Sequence, residues 1–553
     1  MSESTTTVPS IRRRGTDTAL AILLIVIAAA VYLPKFAATV LIDHDDVISV
    51  IAATCNEVRY DGATQYGRWV TAADWQQYWH MQSFGCFGQI ADGLVKTDIH
   101  PPLYFWLLHI WMNLFGVSIF TGLLLNLVFL AVAIIALYTT IRLFAVPHRT
   151  AFVVTLAWIV SLSTRSTMGV IRQYSLFTML TAVLLLMTVL WLQRRKRPYL
   201  VGMVAAMVAG LLTHYQFLFP MVAIIGTGAA VLWRAHQTRD LTRLLGAAVV
   251  SGLIFVAIHP HFRQSVLTAH QQAQPFDLKV LPIRIGGAAL SLTQMFNPLD
   301  WSHPIPYGWA DWNRPALFVI SLANVLASIA AFCFVVIVVR RFIRRRIADR
   351  GSVPTVSDVP LIAGIATVAI VVGLYISFVS PVHAIGLQYL NFATPMLFVG
   401  IACALPPRTR AVADRKPVAA ALIACAAVAT SLFVMHRSEV LPITTVSRAD
   451  SLVLDSYRRG ILPTVLWYAR PTTRIYAATQ EELLQRFPVL GSPADGRLLY
   501  VNSEPFGNTA RNRKAILNKF HQQGYTGATK VPSGSVPLLP FGGRIYAYGR
   551  SGR

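Results

Sequence analysis

The sequence predicts a polytopic α-helical membrane protein whose last span is followed by a small α/β domain. Three observations carry that prediction. Of 553 residues, 55% are hydrophobic and only 13% charged, a balance that a soluble globule could not present to water. Apolar stretches of about 17 to 25 residues, enough to cross about 30 Å of hydrocarbon as helices, recur from residue 19 to about residue 436. Basic residues gather in the short segments between alternate stretches. Arg12 to Arg14, Arg142 with Arg149, Arg194 to Arg197, Arg234 to Arg243, Arg340 to Arg350 and Arg408 to Lys416 together hold 22 of the 48 Lys and Arg. That is the positive-inside pattern, so much of the net charge of +24 reports topology and not a nucleic-acid partner.

The first span, 19–39, is too long for a cleaved signal and has no small-residue cleavage site, so it is expected to be retained. Further spans are expected at 119–141, 150–166, 173–193, 199–213, 216–233, 243–259, 315–339, 360–379, 387–405 and 417–435. Residues 103–116, LYFWLLHIWMNLFG, are apolar but short. Counted as a span, they would scatter the basic clusters over both faces; counted as an interfacial or re-entrant helix, they leave all six clusters on one face. The expectation is therefore about 11 spans, the amino terminus cytoplasmic and the carboxyl tail outside. Residues 1–436 form a membrane module with two long outer loops, 40–102 and 260–314, and residues 437–553 form an outer domain. The 24 acidic residues sort accordingly, with 8 in the first loop, 3 in the second, 7 in the tail and 6 in cytoplasmic segments.

In the tail, RIYAA, RLLYV and GRIYAYG read as strands and QEELLQRF and NRKAILNKF as helices. Its 16 basic residues against 7 acidic ones suit a domain that lies against anionic headgroups, although a solvated basic surface is the commoner reason for such a surplus. Of the five cysteines, Cys333, Cys403 and Cys425 fall in apolar stretches, where a thiol behaves as a small hydrophobe. Cys55 and Cys86 share the first outer loop and are a possible disulfide there.

The densest polar cluster follows the first span in IDHDDVIS, where Asp43, Asp45 and Asp46 crowd His44. Like charges so close repel and raise at least one carboxyl pKa, a cost that hints at use. Three readings stay open: a catalytic base with a partner, a divalent metal site, and a wet loop start. A second cluster, TDIHPPLYFW, sets Asp98 and His100 ahead of Pro101-Pro102, which preset an extended entry and then admit a helix. An interfacial aromatic belt of Tyr104, Phe105 and Trp106 is the plainer reading.

These two strings, with IRQYSLF and THY further on, resemble the GT-C polyprenyl-phosphate-dependent glycosyltransferases, a broad family that includes protein O-mannosyltransferases, lipid A aminoarabinose transferases and lipopolysaccharide core galacturonosyltransferases. The resemblance covers residues 15–220, with HPPLY its most specific part. It implies a GT-C fold and an inverting enzyme of the bacterial inner membrane. Such an enzyme moves a sugar from a polyprenyl-phosphate donor to a hydroxyl of a glycan, glycolipid or protein. It further implies Asp45 and Asp46 as catalytic residues, with Arg172, Tyr174 and His214 at the donor phosphate. Asp43, Asp98 and His100 are additional site candidates. Val170 and Gln388 depart from the pattern, since relatives often carry an acid and an arginine there, and Arg263 or His261 of the second outer loop are possible substitutes. Trp301, His303 and Trp309 in that loop are the expected wall for the acceptor. No cofactor is expected, because a lipid monophosphate leaves as a stable anion that an arginine can hold; a divalent metal is the less favoured option. The rival classes are a transporter and a polymer ligase. Transporters place ionisable groups near mid-membrane and often show paired repeats, whereas the expected spans here hold no Asp or Glu.

Overall fold

The computed structural model describes residues 11–39, 42, 44–97, 100–259, 261–265, 267, 278–297, 315–348, 354–377, 387–405, 445–455, 462–491, 496–502, 510–531 and 544–548. The chain divides into two compact units. One comprises Met1–Pro34, Asn126–Gly169 and Gln173–Thr430, and the other Lys35–Leu125, Val170–Arg172 and Ser431–Arg553.

Among the described residues, seven helices are long and apolar enough to cross a membrane: Gly15–Ala37, Ile119–Leu143, Tyr174–Arg194, Tyr215–Arg234, Thr238–Ile258, Val325–Ile347 and Val356–Ile376. Each overlaps an expected span, although Val325–Ile347 starts ten residues later than the span expected at 315–339. The straight span expected over 150–166 is instead a bent pair, His148–Val160 and Leu162–Met168, meeting at 53°. The break has a local cause. Ser161 takes an extended conformation (φ −63°, ψ 149°), and its side chain accepts from the Thr164 N–H, which caps the second helix. Two other expected spans are shorter helices, Arg197–Thr213 and Asn391–Ala404, and the one expected at 417–435 lies outside the described residues. The helix Leu103–Phe115 has 13 residues, roughly 20 Å at 1.5 Å per residue, too short to cross hydrocarbon unaided. Pro102 stands at its start, and Gly116, at φ +84°, ends it in a conformation that glycine adopts without strain.

Within the first unit, helices meet closely where glycine permits. A Cβ on Gly400 would lie 2.5 Å from the Leu361 Cα, so Thr394–Ala404 packs on Val359–Ser377 almost backbone to backbone. Asp17, near the start of the first helix, accepts from the Tyr138 hydroxyl and pairs with Arg142 at 2.8 Å.

The second unit holds a six-stranded sheet of order β1-β3-β2-β4-β6-β5. Its strands are β1 Trp69–Thr71, β2 Ser451–Leu454, β3 Arg474–Ala477, β4 Leu498–Asn502, β5 Thr529–Lys530 and β6 Arg544–Tyr548. β3, β2 and β4 run parallel, and the others pair antiparallel. The expected strands and both helices of the tail are present, the helices over Gln480–Gln485 and Ala510–Gln522. Tyr500, Phe520, Ile516 and Leu483 fill the core on one face of the sheet.

One strand comes from elsewhere in the chain. β1 belongs to the loop 40–102, placed by sequence with residues 1–436, and it pairs with β3 in register Trp69↔Tyr476. The loop and tail hold together at further points. The Gln76 amide donates to the carbonyls of Leu466 and Ala469, Trp79 stacks on Trp467, and the Trp69 indole donates to the Val489 carbonyl. Within the loop, Cys55 and Cys86 form a disulfide.

Candidate functional site

The helix His44–Ala53 begins at the acidic cluster, with Asp45 and Asp46 in its first turn, where the positive end of the helix dipole favours carboxylates. The two acids diverge. Asp46 is buried, and its Oδ1 accepts from the Ile171 N–H at 2.7 Å. Asp45 keeps 54% of its side chain open, and its Oδ2 lies 3.3 Å from the Arg172 Nη2. The Arg172 guanidinium is buried, and its Nη1 donates to the Ser49 hydroxyl at 3.3 Å. Ser49 in turn donates to the Asp45 carbonyl one helical turn back. Asp46 thus fixes the backbone of 170–172, and that backbone delivers Arg172 to Asp45. Separating the two carboxylates onto different partners relieves the repulsion that their adjacency creates.

Gly122 makes this arrangement possible. A Cβ there would lie 2.7 Å from the Ile171 Cδ1, so any larger residue would have to displace the Ile171 side chain next to the N–H that Asp46 holds. Against the same cluster stands Tyr104, the tyrosine of HPPLY, in the helix that packs on His44–Ala53. It is fully buried, and its hydroxyl makes no hydrogen bond to a described residue. Burial pushes the phenol well above its usual pKa, with the Asp46 charge adding to the rise and Arg172 opposing it. It is therefore a neutral O–H held beside the charged groups.

The first unit carries the other expected donor-site residues. His214 stacks on Phe177 with ring centroids 5.5 Å apart, and Tyr174 lies 6.4 Å from it. The His214 Nδ1 accepts from the Gln216 N–H at 3.1 Å, which assigns its proton to Nε2 and makes that nitrogen the donor. Tyr389 approaches Tyr174 edge-on, and the Tyr215 hydroxyl meets the His259 Nε2 at 3.0 Å.

Of the remaining expected residues, His100 is half-buried and Arg263 and His261 are exposed. Asp43, Asp98, Trp301, His303 and Trp309 lie outside the described residues. The sequence reading missed Ser49, the Ile171 N–H, Tyr389 and the site role of Tyr104. Only Tyr104 carried a signal, its place in HPPLY. Among the described residues, Cys55, Cys86 and His109 alone have the spacing of a metal-ligand trio, and the disulfide leaves those sulfurs no thiolate to offer.

The half-open Asp45 carboxylate thus lies beside the Arg172 guanidinium, ahead in sequence of the helix that HPPLY opens. Residues 99–262 match the dolichyl-phosphate-mannose-protein mannosyltransferase family. The matched segment contains HPPLY, IRQY and THY, while the acidic pair lies ahead of it. Over that segment the chain resembles the lipid-phosphate-dependent glycosyltransferases. Two solved structures of ArnT from Cupriavidus metallidurans align over 97% of this chain and 99% of theirs. The one bound to undecaprenyl phosphate is 12% identical with a TM-score of 0.38, and the apo one 13% identical with a TM-score of 0.44. No curated protein matches the chain.

Proposed function

We propose that the protein is an inverting glycosyltransferase that takes a sugar from a polyprenyl-phosphate donor and passes it to a hydroxyl acceptor on the outer face of the membrane. The observation that carries this is the half-open Asp45 carboxylate 3.3 Å from the buried Arg172 guanidinium. A base that faces solvent on one side and a phosphate-binding cation on the other is what displacement at an anomeric carbon needs. Asp45 takes the proton of the acceptor hydroxyl as its oxygen attacks that carbon. The bond from carbon to phosphate oxygen breaks, its electron pair stays on the phosphate, and Arg172 holds the resulting anion through paired N–H groups. In the resting protein Asp45 and Arg172 neutralise each other, so donor phosphate binding draws the guanidinium away and leaves the carboxylate to the hydroxyl.

Asp46 serves by position, through the Ile171 N–H. Tyr174 and His214 are assigned further donor contacts by the resemblance, His214 through its Nε2–H. No step calls for a metal, and activity is expected to survive EDTA; full loss restored by added Mg²⁺ or Mn²⁺ would replace Arg172 by a metal at the phosphate. The class of the donor is tested by mass spectrometry of lipid that copurifies with the protein. Recovery of a polyprenyl monophosphate or its sugar adduct, together with sugar release that Asp45→Asn abolishes, is the expected result. Purified protein that carries no such lipid and releases no sugar from one would overturn the reading.

A further inference from the structure

The neighbouring parallel strands β2 and β3 must be joined by a connection that crosses one face of the sheet. In this chain the crossover carries the short helix Leu462–Leu466, all of it buried, and that helix packs on the acidic helix His44–Ala53. Just beyond it, the Tyr468 hydroxyl accepts from the Ile42 N–H at 2.5 Å. Ile42 is buried and stands shortly ahead of Asp45. The crossover is braced in turn by the loop 40–102. Gln76 donates to the Leu466 and Ala469 carbonyls, on either side of Trp467 and Tyr468, and Trp79 stacks on Trp467. Tyr468 therefore sits on a secured turn, and its bond to Ile42 reaches across 426 positions to the start of the acidic helix.

We infer that Tyr468 is a positioning residue for the Asp45 base, so that the tail takes part in transfer by holding the start of the acidic helix. The inference rests on the transferase reading proposed above. The first N–H groups of a helix have no partner within it, and the chain that leads into a helix is held by what it meets outside. In the resting protein the half-open Asp45 carboxylate is also steadied by Arg172. Once a donor phosphate takes that guanidinium, the carboxylate depends on its backbone. Asp46 ties that backbone to the Ile171 N–H, and Tyr468 ties it to the tail. A hydroxyl bonded to a backbone amide keeps its hold when the charges rearrange. The hold matters, because misplacing a reacting group by about 1 Å costs roughly 10²-fold in rate.

The test compares full-length wild type with Tyr468→Phe, which keeps the ring and removes the acceptor, both in lipid nanodiscs. Hydrogen exchange followed by mass spectrometry reads the anchor, and the Ile42 amide is expected to exchange about fivefold faster or more in the variant. Sugar release from undecaprenyl-phosphate-linked mannose, galacturonic acid and aminoarabinose, each offered in turn, reads the role. With the donor that wild type accepts, kcat is expected to fall about tenfold in Tyr468→Phe. KM for that donor is expected to stay within about twofold, because Asp46 still ties the backbone that carries Arg172. Tyr525→Phe, which loses a hydroxyl bonded to the Gly491 carbonyl in the tail core, is the control and is expected to change neither reading. If Tyr468→Phe fails to fold, Gln76→Leu frees the turn that presents Tyr468 and must show both effects. Unchanged Ile42 exchange in a folded variant would overturn the anchor, and faster exchange with an unchanged kcat would overturn the positioning role. Wild type that releases none of the three sugars would instead overturn the transferase reading, and the role of Tyr468 with it, while the exchange difference still reports the anchor.

Discussion

Asp45 and Asp46 are neighbours in sequence with opposite surroundings, and their substitutions separate accordingly. Asp45→Asn removes the proton acceptor from an open position, so sugar transfer is expected to fall by at least about 10²-fold while the melting temperature holds. Asp46→Ala strips the Ile171 N–H of its partner in a buried place, which costs about 1–3 kcal/mol and is read as a lowered melting temperature together with lost transfer. The reverse pattern, with Asp45 structural and Asp46 dispensable to folding, would exchange their roles. Tyr104→Phe keeps the packing and removes the hydroxyl. Its expected signature is undiminished thermal stability with a raised KM for the lipid donor; unchanged kinetics would reduce Tyr104 to packing. Asp45, Asp46 and Arg172 could be named from the sequence because each sits in a short motif. The Ile171 N–H could not, since a backbone amide carries no letter, and the coupling of Ser49 to Arg172 spans 123 positions.

The helices show the same division. Long apolar runs announced themselves, and the seven helices among the described residues that are long enough to cross a membrane were legible because hydrophobic length is written directly in composition. The bend at Ser161 was not, because a serine within an apolar run signals a cap only once the backbone turns there. Nor did β2 stand out, a run of four residues with no alternation because both its faces are covered. Glycine contacts give this scale its prediction. Gly122→Ala pushes a methyl group into Ile171, and since Ile171 precedes Arg172, transfer is expected to drop several-fold or more although residue 122 has no part in the chemistry. Gly400→Ala meets the Leu361 backbone, which cannot rotate away, and is expected to destabilise the protein by about 1–3 kcal/mol. Gly226→Ala, where a Cβ would touch nothing, serves as the control and is expected to leave melting unchanged or slightly raised. Equal melting of the Gly400 and Gly226 variants would contradict the close approach.

At the scale of the whole chain, the distribution of basic segments predicts a tail outside the membrane. A cysteine introduced at Arg511, exposed on the tail helix, is expected to react with a membrane-impermeant reagent in intact cells, and one at Arg239 only after lysis. The opposite labelling would mean that Leu103–Phe115 crosses the membrane after all. The union of β1 with β3 also sets a timetable. The first loop can close its disulfide early, across a separation of 31 residues, yet the partner strand of β1 lies about 400 residues downstream. At synthesis rates of about 5–20 residues per second, roughly 20 to 80 s pass before that partner emerges. Throughout the interval Trp69 and its neighbours present an unpaired backbone edge, as does a tail made without the loop, so the cell must shelter that edge or the nascent protein will find another strand to pair with.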